Sequence, residues 1–303
     1  SMLSSARPRR HSKQGMKNLF KNLKLLPTSL IALAMCAALP ARALESMEPL
    51  TDILDAPGSA GLGFVLQAAP SPYRDGGTRY DLLPLYLYEG ERLFLHGNRA
   101  GVKLTKDSSS RFDLFIEQRL GGFPVDRLPS SLTGMKARDS GIDLGLAWRT
   151  LQPWGTLKAE LTHDIAGTHK GNELRLGYAY DWRSGPWRLR PALTVAWRDS
   201  RLNNYYYGVQ PAEALAGRAA YAPGAGVNTT LGLYGSYDLS QRWRLLAGVS
   251  ATQLDKKIKA SPIVEDRLIT AVYVGAAYDF GGHKREWAEP DSPTWFKLLY
   301  GKS

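Results

Sequence analysis

Between residues 141 and 280 the chain keeps returning to one pattern: an apolar residue at every second position, with a polar or charged residue between. In Trp187-Arg188-Leu189-Arg190-Pro191-Ala192-Leu193-Thr194-Val195-Ala196-Trp197-Arg198 the odd positions are Trp, Leu, Pro, Leu, Val and Trp, and the even ones carry three arginines. A period of two is that of a strand, whose successive side chains point to opposite faces. Extended along the chain, it predicts about twelve strands, over 61–69, 79–88, 91–96, 100–105, 111–119, 139–149, 155–166, 172–183, 186–198, 225–239, 241–254 and 266–280. Pro84, which has no N–H to give, suits an edge or a bulge within the second of these.

The connections alternate in length. With the N-terminus in the periplasm, the turns at 89–90, 106–110, 150–154, 184–185 and 240 fall at one end, and all are short. The opposite end receives 70–78, 97–99, 120–138, 167–171, 199–224 and 255–265. Short periplasmic turns with longer outer loops are the arrangement of outer-membrane barrels. Trp148, Tyr180, Trp182, Trp187, Tyr237, Trp243, Tyr278 and Phe280 lie on the apolar phase near the short turns, as an interfacial aromatic girdle requires. A soluble sandwich would gather such side chains mid-strand. The expected fold is therefore all-β: a transmembrane, outer-membrane antiparallel β-barrel of about twelve strands over 61–280, with its apolar phase against lipid.

The ends of the chain fit that placement. Lys17, Lys21 and Lys24, the apolar run Leu25 to Leu39 and the Ala41-Arg42-Ala43 cleavage site make 16–43 a secretory signal, cut near Ala43. Residues 1–15 then lie upstream of the start, 44–60 form a periplasmic N-terminal segment and 281–303 a periplasmic C-terminal tail, in the outer membrane of a Gram-negative cell. The only cysteine, Cys36, sits in the signal, so the mature chain has neither disulfide nor thiol chemistry. The net charge of +11 also comes largely from 1–43: without its eight basic residues the balance is 31 Lys and Arg against 28 acids. That is no nucleic-acid footprint. His96, His163, His169 and His283 are scattered, and the glycines follow turns and strands, so no metal or cofactor is expected.

With the apolar phase outward, the other phase lines a lumen where opposite charges interleave. Arg175, Asp181, Arg188, Arg190, Arg198, Asp238, Arg242 and Arg244 belong to it. Turn positions set Asp181 opposite or diagonal to Arg188, and Asp238 opposite Arg242; such cross-strand pairs stabilise each other. Two readings stand: a narrow lumen filled by salt bridges, or a pore or binding cavity with a basic stripe.

The loop after residue 198 reads Ser200-Arg201-Leu202-Asn203-Asn204-Tyr205-Tyr206-Tyr207-Gly208-Val209 and continues through Glu213-Ala214, Gly217-Arg218 and Tyr221 to Gly226. Upstream stand Leu132-Thr133-Gly134-Met135, Arg138 and Asp143-Leu144-Gly145; downstream, Ser261-Pro262-Ile263-Val264. In this order they resemble the MipA/OmpV family of MltA-interacting outer-membrane proteins, over about 60–280, with Tyr205, Tyr206, Tyr207 and Gly208 the most specific part. The resemblance implies a non-enzymatic barrel inserted in outer-membrane lipid. For one branch it implies a scaffold joining a murein lytic transglycosylase to a murein synthase; other members are adhesins or porin-like proteins. The last strand also resembles the recognition signal of the outer-membrane assembly machinery, a pattern that falls on Gly275, Tyr278 and Phe280.

Three features carry two readings each. The tyrosines of 205–207 either fold their own loop over the barrel mouth or offer a contact surface. The tail with Trp287, Trp295, Phe296 and Tyr300 is either a poorly ordered terminus or a periplasmic docking segment or partial plug. Ser140 and His163 fall nearly opposite one another on the lipid face, as a nucleophile and base would, but no third member shares that face.

Overall fold

The computed structural model describes residues 47–54, 60–107, 109–123 and 128–281; the segment expected to be a secretory signal and the tail from 282 onward lie outside them. The strands are β1 (Ala60–Pro70), β2 (Thr78–Glu89), β3 (Leu93–His96), β4 (Arg99–Lys106), β5 (Ser110–Arg119), β6 (Gly141–Gln152) and β7 (Gly155–Asp164). They continue with β8 (Asn172–Ala179), β9 (Trp182–Ser184), β10 (Trp187–Arg198), β11 (Gly226–Asp238), β12 (Trp243–Gln253) and β13 (Leu268–Asp279). Among the described residues there are also short α-helices: α1 (Glu48–Asp52) ahead of β1, α2 (Ser200–Tyr207) between β10 and β11, and α3 (Lys256–Lys259) between β12 and β13.

Every pairing is antiparallel, β13 returns to β1 and β10 pairs with β11, so the sheet closes on itself. Two of the thirteen segments are halves of one crossing. β8 and β9 pair with β10 in a single register, Ala179↔Ala192 and Trp182↔Leu189. Between them the Tyr180 N–H donates to the Pro191 carbonyl at 3.1 Å, and Pro191 has no N–H with which to reply. The barrel therefore has twelve crossings. β3 reaches only Leu87–Glu89 of β2, which leaves Pro84 on a stretch of β2 that no other strand but β1 joins.

The alternation sorts as the chemistry requires. Leu62, Leu66, Leu146, Leu161, Leu176, Leu231, Val249 and Val274 stand exposed around the outside. Charged residues such as Asp113, Glu117, Asp143, Glu160 and Arg190 are buried inside. In water this inversion would be ruinous; in hydrocarbon it satisfies both faces. Aromatic rings meet in pairs across neighbouring strands, Trp187 with Tyr237 at 4.7 Å and Trp243 with Tyr278 at 5.1 Å.

Candidate functional site: a lumen plugged below and lidded above

The barrel interior has two unlike walls. From β4 round to β10 the inward positions are mostly charged. From β11 through β13 to β2 they include Tyr234, Leu246, Ala271, Tyr273, Ala277, Val65, Ala69, Leu83 and Leu85, which form one buried apolar cluster.

From the periplasmic side upward that cluster is completed by Ile53, Leu54 and Leu50, and by Met47, which lies against Gly97 with its N–H donating to Asn98 Oδ1 at 3.4 Å. These residues sit on one face of the turn around α1, while Asp52 looks the other way, towards the charged wall. Its Oδ1 accepts from Arg149 at 2.9 Å and its Oδ2 from Lys158 at 2.9 Å, with Arg190 at 3.6 Å. Arg188 donates to the Ile53 carbonyl at 2.7 Å. The expectation that 44–60 is periplasmic is therefore corrected for Met47–Leu54: this stretch is a plug inside the barrel, held because each of its faces meets a matching wall.

Higher in the lumen the charges interlock. Arg99 grips Glu160 with two nitrogens, Nη1 to Oε1 at 2.7 Å and Nη2 to Oε2 at 3.2 Å. Arg175 lies 2.7 Å from Glu117 and 3.1 Å from Glu160. Glu173 takes Arg198 at 2.6 Å and Arg119 at 3.4 Å, and Arg119 takes Asp143 at 2.7 Å. The Arg99 guanidinium stacks 4.0 Å from the Phe115 ring, which lies over Gly145, where a Cβ would come within 2.2 Å of the ring. Between the plug and the outer loops remains a cavity of about 180 Å³, touched by Pro49, Arg198, Tyr207, Tyr234 and Tyr273.

The outer end is covered by a small core of its own. Tyr73, Phe123, Leu132, Met135, Leu202, Tyr206, Tyr207, Val209, Leu254, Ile258, Ile263 and Val264 come from four different loops and are all buried. Asp199 starts α2 by accepting from the Leu202 N–H at 3.0 Å. Arg138 crosses 75 residues of sequence to Glu213, at 2.7 Å and 3.0 Å. Arg218 donates to the carbonyls of Glu213, Ser131 and Thr133, and Ser261 Oγ to that of Tyr207. The residues that carried the family resemblance are largely the ones that build this lid. Tyr206 and Tyr207 are buried in it, the Tyr205 hydroxyl accepts the Asp139 N–H at 2.8 Å, and the Gly208 carbonyl accepts from Arg138.

Burial raises the Glu213 carboxyl, but Arg138 and the backbone N–H groups of Gln210 and Lys136 outweigh it and hold the group below its ordinary value. A depressed carboxyl contributes stability that is complete above its unfolded pKa of about 4.3 and is lost as pH falls through the folded value. The lid is therefore expected to loosen below about pH 4. Hydrogen exchange of 199–225 between pH 3 and 6 measures this, and Glu213→Gln is expected to remove the acid-sensitive part.

Of the charged residues expected in the lumen, Arg175, Asp181, Arg188, Arg190, Arg198, Asp238 and Arg244 have their partners there. Asp181 accepts from Arg188 at 3.0 Å and Arg190 at 2.6 Å, and Arg244 reaches Asp238 at 2.8 Å. Arg242 is a correction. Asp238 pairs with Arg244, Ser240 N–H bonds to Trp243 O, and Arg242 therefore belongs to the turn, exposed and donating to the Tyr278 hydroxyl at 3.0 Å. Tyr278 itself packs at 5.4 Å on Phe280, while Gly275 faces inward where a Cβ would meet the Phe64 carbonyl at 2.2 Å.

The Ser140–His163 pairing is also corrected. The β6–β7 turn lies further along than expected, so His163 stands across from Leu144, and its Nδ1 meets Asn172 Oδ1 at 2.9 Å. Among the described residues the fold gathers a set that spacing could not show, Asp143, Asp164 and His169. Its donors are already engaged. Asp164 accepts four backbone N–H groups from Ala166, Gly167, His169 and Lys170. His169 Nδ1 accepts from Gly171, which leaves Nε2–H to donate to Asp143. The set thus ties the loop through hydrogen bonds that already engage each of its members.

A family model for the MltA-interacting protein MipA matches residues 61–280, the whole barrel. The chain belongs to the MipA family. It is 24% identical over 230 residues to the MltA-interacting protein of Escherichia coli, covering 75% of this chain and 93% of that one. To the outer membrane protein Omp26La of Vibrio anguillarum it is 34% identical over 151 residues, 50% of this chain and 59% of the relative. Among solved structures, the toluene transporter TodX of Pseudomonas putida covers 76% of this chain and 91% of its own at 10% identity, with a TM-score of 0.34. This MipA-family barrel is an outer-membrane protein.

Proposed function

We propose that this MipA-family protein is a non-enzymatic outer-membrane scaffold whose barrel is an anchor, closed to ions. One observation carries the reading: the lumen is filled at three levels, by the Met47–Leu54 plug, by the Arg99–Glu160–Arg175–Glu117 lattice and by the loop core above. A barrel so filled acts through what it presents at its two surfaces. The name of the Escherichia coli relative, MltA-interacting protein, supports a periplasmic partner of the murein lytic transglycosylase class; a murein synthase as the second party is what the family resemblance implies, and both would be met by the flanking residues 281–303.

The test has two arms. Crosslinking in cells from positions in 281–303, followed by identification of the captured proteins, is expected to recover murein enzymes; capture of none from an assembled barrel would overturn the scaffold. Planar-bilayer recording addresses closure. A second reading, a small-ligand binder, is favoured by the cavity below the lid, where Arg175 and Arg198 meet five tyrosines. Equilibrium dialysis against small aromatic and sugar probes separates it from a pure anchor.

A further inference from the structure

The charged wall contains a row of like charges. The register sets Arg111 opposite Arg149, and Arg149 opposite Lys158, so three cations stand side by side across β5, β6 and β7. Like charges directly opposite each other destabilise a sheet. At one end of the row Arg111 is compensated by Asp113 at 2.8 Å and Glu89 at 3.1 Å. At the other end the sheet's own carboxylates Asp113 and Glu160 attract Arg149 and Lys158, and a further counter-charge comes from off the sheet: the Asp52 carboxylate, 3% exposed, bridges Arg149 and Lys158 with one oxygen each while Arg190, paired with Asp181, approaches from β10.

We propose that Arg149, Lys158 and Arg190 form an anion-binding site at the periplasmic mouth, occupied in this state by the chain's own Asp52, and that small phosphate or carboxylate anions compete for it and release the plug. The proposal rests on the closed-lumen reading. The geometry is that of an anion receptor: two cationic side chains at 2.9 Å from separate oxygens of one carboxylate, with a guanidinium flanking. A free phosphate or a carboxylated murein fragment offers the same oxygens. What is released is chemically distinct from what is held: Met47, Leu50, Ile53 and Leu54, all buried against the apolar wall, would be delivered to the periplasm as a short adhesive segment.

The experiment uses the full chain in detergent micelles with Cys36→Ser and a single reporter, Thr51→Cys, on the buried plug. Maleimide labelling then reads plug release. Wild-type Asp52 is expected to protect the thiol. Asp52→Asn removes one partner of a buried ion cluster and is expected to speed labelling about tenfold or more. Asp52→Glu, which keeps the charge, is expected to restore most of the protection. Inorganic phosphate at millimolar concentration is expected to speed labelling of the wild type and not of Asp52→Asn.

Unchanged labelling in Asp52→Asn overturns the latch. Equal acceleration by sodium chloride at matched ionic strength means screening only and overturns the anion site. Retained strand circular dichroism in each variant shows that the barrel is intact, so that labelling reports the plug alone. A barrel that conducts ions with the thiol fully protected would instead contradict the closed-lumen reading, which keeps the two failures apart.

Discussion

Replacing Glu160 with alanine is expected to destabilise the barrel by about 3–5 kcal/mol, although no apolar contact of consequence is lost. Glu160 is buried, holds Arg99 by two bonds and stands 3.1 Å from Arg175. Its removal takes a carboxylate from two guanidiniums in a low-dielectric interior, with Glu117 serving both and Glu173 3.4 Å from Arg175. An excess of buried positive charge is the dominant cost, so the sign does not depend on how much the intact pair contributes. The corollary is sharper. Replacing the pair together, Arg99→Met with Glu160→Leu, is expected to cost far less than either single change, because no unpaired charge remains. Guanidinium unfolding from micelles, followed by tryptophan fluorescence, measures both. Additive single and double effects would mean that the lumen is wet enough to screen these charges.

The second large effect is steric. Gly275 on β13 lies where the barrel closes on β1, and a Cβ there would stand 2.2 Å from the Phe64 carbonyl and 2.8 Å from the Val65 side chain. A backbone oxygen cannot swing aside as a flexible side chain can. Gly275→Val is expected to prevent closure outright, seen as loss of the compact, heat-modifiable band on gels after refolding into micelles. Gly177→Ala supplies the control, since its Cβ would approach nothing closer than 3.7 Å. Refolding from denaturant also separates two roles for the Gly275, Tyr278 and Phe280 pattern. If Gly275→Val refolds in micelles but is absent from the outer membrane of cells, its part lies in recognition by the assembly machinery. Failure in both places is the steric outcome.

These two sites differ in how far the sequence exposes them. Strands are legible because a side-chain period of two leaves its mark wherever one face is oily and the other charged, and β10 displays that over its full length. The phase assigns Arg175, Arg190 and Arg198 to the interior without any structure. What it does not carry is the length of a turn. Arg242 follows the same alternation as Arg244, yet the β11–β12 turn extends to Arg242 and carries it outside the ladder. The Ser140–His163 pairing fails for the same reason, a turn displaced by a few residues.

The plug is less legible still. α1 is five residues long, too short for a helical period to declare itself, and Asp52 is an unremarkable acid until three cations from β6, β7 and β10 surround it. The lid shows a third kind of blindness. Its motif residues are distinctive as a string, but that Arg138 answers Glu213 and Tyr207 packs on Tyr73 is decided by which loops the barrel brings together. Conversely, the lid explains why the family's most specific residues cluster in loops: four loops share one core, so a change in any of them is felt by the other three.

An anchor that works through its two surfaces requires a barrel that is shut. The direct measurement is single-channel recording of the purified wild-type protein in planar lipid bilayers, at neutral pH and in chloride without phosphate. A sealed lumen gives a current indistinguishable from the bare bilayer at insertion levels confirmed by recovery of folded protein from the membrane. Stable, ohmic steps that scale with the amount inserted would mean an open pathway past Met47–Leu54 and the loop core, and the anchor reading would give way to a channel.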